Sequence, residues 1–185
     1  PRTTWELLDQ ERARTQIRRD GWKPAYYTTR RDIAPNMKFT SQVGQEYFIL
    51  NYLLQTDEHR YNGVFLDVAS NDPVSISNTY ILEKFFNWTG ICVEPNPTFW
   101  GKYVQTARKC QLVSAASAEN RNQDFNFVFR GGLGGLVGDD FDNKDEESRD
   151  APDTVPLQTV PLTEILDELK FPRVITYLSL DVEGA

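Results

Sequence analysis

The sequence predicts an α/β fold built on a mostly parallel sheet. Short runs that are apolar on both faces alternate with amphipathic helical segments, and acidic residues stand at the ends of several runs. A strand covered by helices on both sides needs such a two-faced run, whereas a strand with one wet face alternates apolar and polar. The strand runs are 63–68, 90–94, 111–116 and 174–180.

Each helix between them has its own signal. Over 41–56, Val43, Tyr47, Leu50 and Leu54 recur at helical spacing and define one face. Residues 78–87 carry Ile81, Leu82, Phe85 and Phe86. Asn96 followed by Pro97 reads as a cap and a first helical residue, with Phe99, Tyr103 and Ala107 facing inward. A short helix over 163–170 leads into the fourth strand.

Two regions depart from this rhythm. Phe125, Phe127 and Phe129 alternate with polar residues, which predicts a strand with one face on the core. The glycine-rich stretch 130–138 and the acidic stretch 139–150 read as a mobile loop. No Gly-Lys-Ser/Thr follows the glycines, which argues against a phosphate cradle. Asp140, Asp142 and Lys144 have the alternation of a calcium loop, but Asp145 stands where the turn glycine is required.

At the N-terminus, Thr3, Thr4 and Glu6 suggest a capping box opening a polar helix to about Asp20, and 21–40 reads as an extended arm containing Pro24 and Pro35. Residues 1–40 therefore form a basic arm, with nine Lys/Arg against five Asp/Glu, on a chain whose net charge is −7. Such an arm suits a membrane surface, RNA or an acidic protein, although a solvated helix explains the charge more simply. The acidic whole argues against nucleic acid as the main partner. Trp5, Trp22, Tyr26 and Tyr27 are costly to leave in water, so the arm is expected to pack on another surface, either a protein partner or the missing half of this domain.

Composition narrows the class further. Hydrophobic residues make up 39% and aromatics 12%, enough to bury a core rather than leave the chain disordered. With only Cys92, Cys110 and His59, neither a disulfide framework nor a zinc site can be assembled, so no metal is expected and buried reduced thiols are. No segment reaches the roughly 20 apolar residues of a transmembrane helix. The first residues hold no apolar signal region, but the sequence starts at Pro1 and leaves room for an earlier targeting segment; the compartment is open, with a soluble, intracellular or organellar setting favoured over secretion. The sequon at Asn87 would matter only in a secretory protein.

In an open parallel sheet, ligands bind beyond the carboxyl ends of the strands. Asp67 within the first strand, Glu94 ending the second and Asp181 ending the fourth occupy that edge. Each alone would be an ordinary helix-capping carboxylate. Together they suggest a nucleoside site, because an acid ending strand two is placed to accept both hydrogen bonds of a ribose diol. The absence of a G-x-G-x-x-G after strand one disfavours a dinucleotide oxidoreductase.

The segments 65–73 (FLDVASNDP), 77–79 (SNT), 92–97 (CVEPNP) and 178–185 (LSLDVEGA) resemble, in order, the motifs of FkbM-type methyltransferases. The segment 41–46 (SQVGQE) resembles that family's entry segment, and 162–169 fits the helix before its fourth strand. The resemblance spans about 40–185 and implies a Rossmann-like class I methyltransferase fold that uses S-adenosyl-L-methionine. It implies that Asp67, Ala69, Asn71 and Asp72 hold the methionine part, Glu94 the ribose, and Ser114 and Ala115 lie near adenine. Asp181 and Glu183 would face methyl transfer, where either could serve as the base or hold a metal. The implied activity is O-methylation of a small-molecule or glycan hydroxyl.

Two positions depart from the family pattern, with Ala69 and Pro73 standing where glycines are usual. A Cβ at 69 would crowd a backbone that must either approach ligand closely or take positive φ, and proline at 73 removes an N–H that could meet the ligand carboxylate. Proline would be harmless there if it opened the next helix. These changes sustain an alternative, a non-catalytic methyltransferase-like scaffold subunit of a larger complex. The 41–185 domain is expected to be incomplete, cut after strand four, with that strand's edge covered by further sequence or a partner.

Overall fold

A computed structural model describes residues 37–54, 60–130, 134–139 and 154–182. Most of the basic arm, His59, the acidic stretch from Asp140 and Glu183 lie outside the described residues. The chain divides into two compact units, Pro1–Gly63 with Val74–Trp88 and Val64–Pro73 with Thr89–Ala185.

In the first unit, helix α1 (Gln45–Phe48) runs into a π-helical turn, Ile49–Leu53. The helix starts later than its periodicity predicts, because Gly44 takes a left-handed backbone with φ 83°. Val43 is therefore outside it and exposed, while Glu46 is fully buried. The Glu46 carboxylate accepts the Thr40 and Ser41 N–H groups, both at 3.0 Å, and the Ile81 N–H at 2.9 Å. One acid thus satisfies donors from two separate segments. Burial nevertheless pushes its pKa up, outweighing these hydrogen bonds.

Helix α2 (Tyr80–Phe86) buries Ile81, Leu82 and Phe86, whereas Phe85 is exposed. Trp88 is buried and its indole N–H donates to the Arg60 carbonyl. Gly63 is required beside it, since a Cβ there would lie 2.5 Å from the indole ring.

The second unit holds two four-stranded sheets. The first has the order β3 (Gln111–Val113), β2 (Thr89–Val93), β1 (Val64–Val68), β8 (Tyr177–Leu180), and all its pairings are parallel. The register sets Leu66 beside Ile91 and Val68 beside Val93, so these four share a face. Ile165 of helix α4 (Leu162–Glu168) packs against them, with Leu162, Leu166 and Leu169 around it. Helix α3 (Pro97–Gln105) opens as expected, with the Asn96 side chain accepting the Thr98 N–H at 3.0 Å. Ala107 is not an inward helical residue; the helix ends at Gln105, and Ala107 is exposed at φ 51°.

The second sheet is mixed, in the order β4 (Ala116–Ser117), β7 (Thr154–Val160), β5 (Asp124–Val128), β6 (Gly135–Leu136). Here the expectations need three corrections. The run 111–116 is not one strand, because it turns after Val113, where Ala115 N bonds to Val113 O at 3.1 Å, and resumes in the other sheet. Part of the expected glycine loop is a strand, with Leu136 paired to Phe127. The strand β7 was not foreseen, since Pro156 interrupts its pattern. Proline is accommodated because β4 pairs only with Thr159 and Val160, leaving the Pro156 level bonded to β5 alone. The fourth parallel strand is also shorter than expected, with Val174 well before it and 78% exposed.

Candidate functional site

The parallel sheet runs third, second, first, last in chain order, so its direction of growth reverses beside β1. That switch point is where an open α/β sheet leaves a crevice beyond its strand ends. A crevice open to solvent lies there. Each of the four parallel strands delivers residues to it: Ala69 and Asn71 after β1, Glu94 and Asn96 after β2, Ala115 after β3, Asp181 and Val182 after β8. Phe127 and the Gly134–Leu136 turn and strand of the mixed sheet complete the lining. Gly134 fits this turn because a Cβ would lie 2.5 Å from the Val128 carbonyl oxygen.

Glu94 is a buried, doubly hydrogen-bonded carboxylate in the crevice. It is 5% exposed, and its two carboxylate oxygens accept the Asn71 N–H at 2.6 Å and the Asn96 N–H at 2.7 Å. Burial raises its pKa despite these bonds, and the nearby Asp67 adds to the rise. Its own backbone carbonyl accepts the Trp100 indole N–H at 2.9 Å, which pins the strand end to α3.

The loop after β1 bends through two left-handed residues, Ala69 at φ 57° and Asn71 at φ 56°. Asparagine tolerates this region, but alanine does so at a cost of about 1–2 kcal/mol. The expected demand for positive φ at position 69 is therefore real, and alanine meets it under strain. Pro73 does not open the following helix, which starts at Tyr80; it is buried, and its carbonyl accepts Arg108 Nη1 at 2.6 Å.

The fold brings Ala69, Asn71, Glu94, Ala115 and Asp181 to one crevice. Three other candidates stand outside its lining. Asp67 is buried within β1, in register with Cys92 and Ser179. Asp72 faces Lys102, with Oδ2 2.7 Å from Nζ. Ser114 is exposed, one position out of step with Ala115. Cys92 and Cys110 are buried thiols outside any disulfide, as expected. Among the described residues, no cluster of His, Cys, Asp or Glu could hold a metal ion, and no helix is long and apolar enough to cross a membrane.

Sequence reasoning missed Asn96 as a crevice residue, Phe127 and Leu136 as its wall, and Tyr103 as a polar group. Tyr103 was read only as an inward-facing helix residue, yet its hydroxyl lies 2.7 Å from Ser70 Oγ. Burial, with the neighbouring Cys92 next in effect, pushes its pKa well up, so the phenol keeps its proton.

A parallel sheet with this strand order and a crevice at its carboxyl edge defines an open α/β protein of the kind that takes ligands at a switch point. A sequence model described as the Methyltransferase FkbM domain matches residues 67–185. The chain belongs to the FkbM methyltransferase family, and the match includes every parallel strand except the start of β1. It begins after the 41–46 segment. No curated protein and no solved structure matches the chain.

Proposed function

We propose that the crevice binds S-adenosylmethionine and that the protein transfers its methyl group to a hydroxyl of a small molecule or glycan. The observation that carries this reading is Glu94, a buried carboxylate facing the crevice with one backbone N–H on each oxygen. A carboxylate has about four acceptor sites, so two remain for a ribose diol. The rest of the lining fits a nucleoside as well. Val68, Val93, Ala115, Phe127, Leu136 and Val182 offer apolar surface to a flat base.

The cofactor supplies a methyl group already activated on a sulfonium. The chain's residues have to bind it, exclude water and take a proton from the acceptor. Glu94 orients the nucleoside. Asp181, in the crevice lining at the end of β8, is the residue we assign to proton removal. The competing reading is a non-catalytic scaffold subunit, favoured by the strained Ala69, whose Cβ stands where family members usually have none.

Calorimetry with S-adenosylmethionine and its demethylated product decides between them. Micromolar binding is expected, weakened by about 1.5–3 kcal/mol in Glu94→Ala, as for a lost hydrogen bond to a charged group. Because alanine also strands two backbone N–H groups, Glu94→Gln, which keeps one acceptor oxygen, should fall between. No heat with the wild-type chain would reject cofactor binding and favour the scaffold.

A further inference from the structure

The segment from Glu94 to Arg108 holds the loop after β1 residue by residue. Ser70 Oγ lies 2.7 Å from Tyr103 Oη, which also donates to the Asn71 carbonyl at 3.3 Å. Glu94 accepts the Asn71 N–H at 2.6 Å. Lys102 Nζ donates to Asp72 Oδ2 at 2.7 Å, and Arg108 Nη1 to the Pro73 carbonyl at 2.6 Å. Four consecutive loop residues are each tied to one helix and the segments flanking it.

These ties differ in weight. The Lys102 side chain is 50% exposed, and an ion pair there contributes little. Tyr103 and Ser70 are buried, at 4% and 6%, so their bond is formed away from competing water. Arg108 is half-buried, lies over the Tyr103 ring at 5.6 Å and reaches Cys92 Sγ at 3.5 Å, which anchors the clamp to β2. The loop needs such support because Ala69 adopts a backbone that an unrestrained alanine would leave. Ala69 and Asn71 both line the crevice, so relaxation of either would move its wall.

We infer that Tyr103 and Arg108 are positioning residues that hold the 69–73 loop in its left-handed form, doing for Ala69 what a glycine would do unaided. The inference rests on the reading of the crevice as an S-adenosylmethionine site. It explains how a chain with alanine at 69 can keep the loop geometry that a glycine adopts freely.

The test is a two-residue cycle on the whole chain, reading the dissociation constant of S-adenosylhomocysteine by calorimetry and the melting temperature in parallel. Tyr103→Phe removes one hydroxyl and should weaken binding about tenfold, the equivalent of one buried hydrogen bond. Ala69→Gly alone is the second corner of the cycle, and its measured affinity is the reference for the double variant. The double variant should recover most of the lost affinity, because glycine takes positive φ without the clamp. A merely structural role for Tyr103 would not be rescued by a glycine at 69. Wild-type affinity in Tyr103→Phe, or a double variant as weak as Tyr103→Phe alone, would overturn the inference while leaving the cofactor reading intact. A wild-type chain that does not bind at all would remove both. If Tyr103→Phe fails to fold, Arg108→Gln enters the same cycle with the same expected outcomes.

Discussion

Alanine 69 carries the least favourable backbone in the crevice lining, and its replacement has a definite sign. At φ 57° a glycine removes a penalty of about 1–2 kcal/mol and returns about 0.4–1 kcal/mol to the unfolded chain as entropy. Ala69→Gly should therefore stabilise by roughly 0.5–1 kcal/mol, measurable by urea unfolding. The sequence raises positive φ at 69 only as one of two alternatives, and glycine's freedom in the unfolded chain taken alone gives the opposite sign. Loss of stability would mean that Ala69 does not occupy the left-handed region.

Glutamate 46 makes a prediction on pH. Burial raises its pKa above the ordinary value of 4.5, so the native state keeps a proton over a window in which the unfolded chain has released it. Its contribution is fully present below the ordinary value and is lost as pH rises through the raised one. Unfolding free energy should carry this falling component as pH rises above the ordinary carboxylate range, and Glu46→Gln should flatten it even while weakening the fold. An unchanged slope in the variant would place the titration elsewhere. Nothing in the sequence marks this acid as buried, because an acid beside Gln45 reads as a solvated helix residue.

At the scale of elements, helix α4 depends on one fully buried side chain. Ile165 sits on Leu66, Val68, Ile91 and Val93, and the rest of the helix is only partly covered. Ile165→Ala should cost about 2–5 kcal/mol in chemical unfolding, the range for a core isoleucine that leaves a cavity. A cost near that of a surface substitution would detach the helix from the sheet face.

The elements most legible in the sequence are those with the strongest periodicity. Strands β1 and β2 and helices α2 and α3 are close to where their apolar patterns set them. The mixed sheet was poorly legible for physical reasons. Strand β4 has two residues and no period to detect, β7 contains a proline tolerated only because of its neighbours, and β6 is made from a glycine run that reads as loop. The turn after Val113 also explains the miss at the end of β3, where Ala115 lines the crevice and Ser114 beside it is exposed. Glu94 was legible as an acid ending a strand. The clamp of Tyr103 and Arg108 was not, because its bonds join residues about 30 positions apart.

At the scale of the whole molecule, the parallel sheet and its strand order leave a crevice beyond the strand ends, and the FkbM family match covers the segments that line it. A ligand that binds only the folded chain stabilises it by mass action, about 2.7 kcal/mol at a hundredfold excess over the dissociation constant. Saturating S-adenosylhomocysteine should therefore raise the melting temperature by several degrees. The most direct measurement is a crystal structure of the protein grown with S-adenosylhomocysteine. The expected result is a nucleoside in the crevice, with its ribose hydroxyls on Glu94 and its base against the Phe127 and Leu136 wall. An empty crevice at saturating ligand, or a ligand bound away from Glu94, would contradict the assignment.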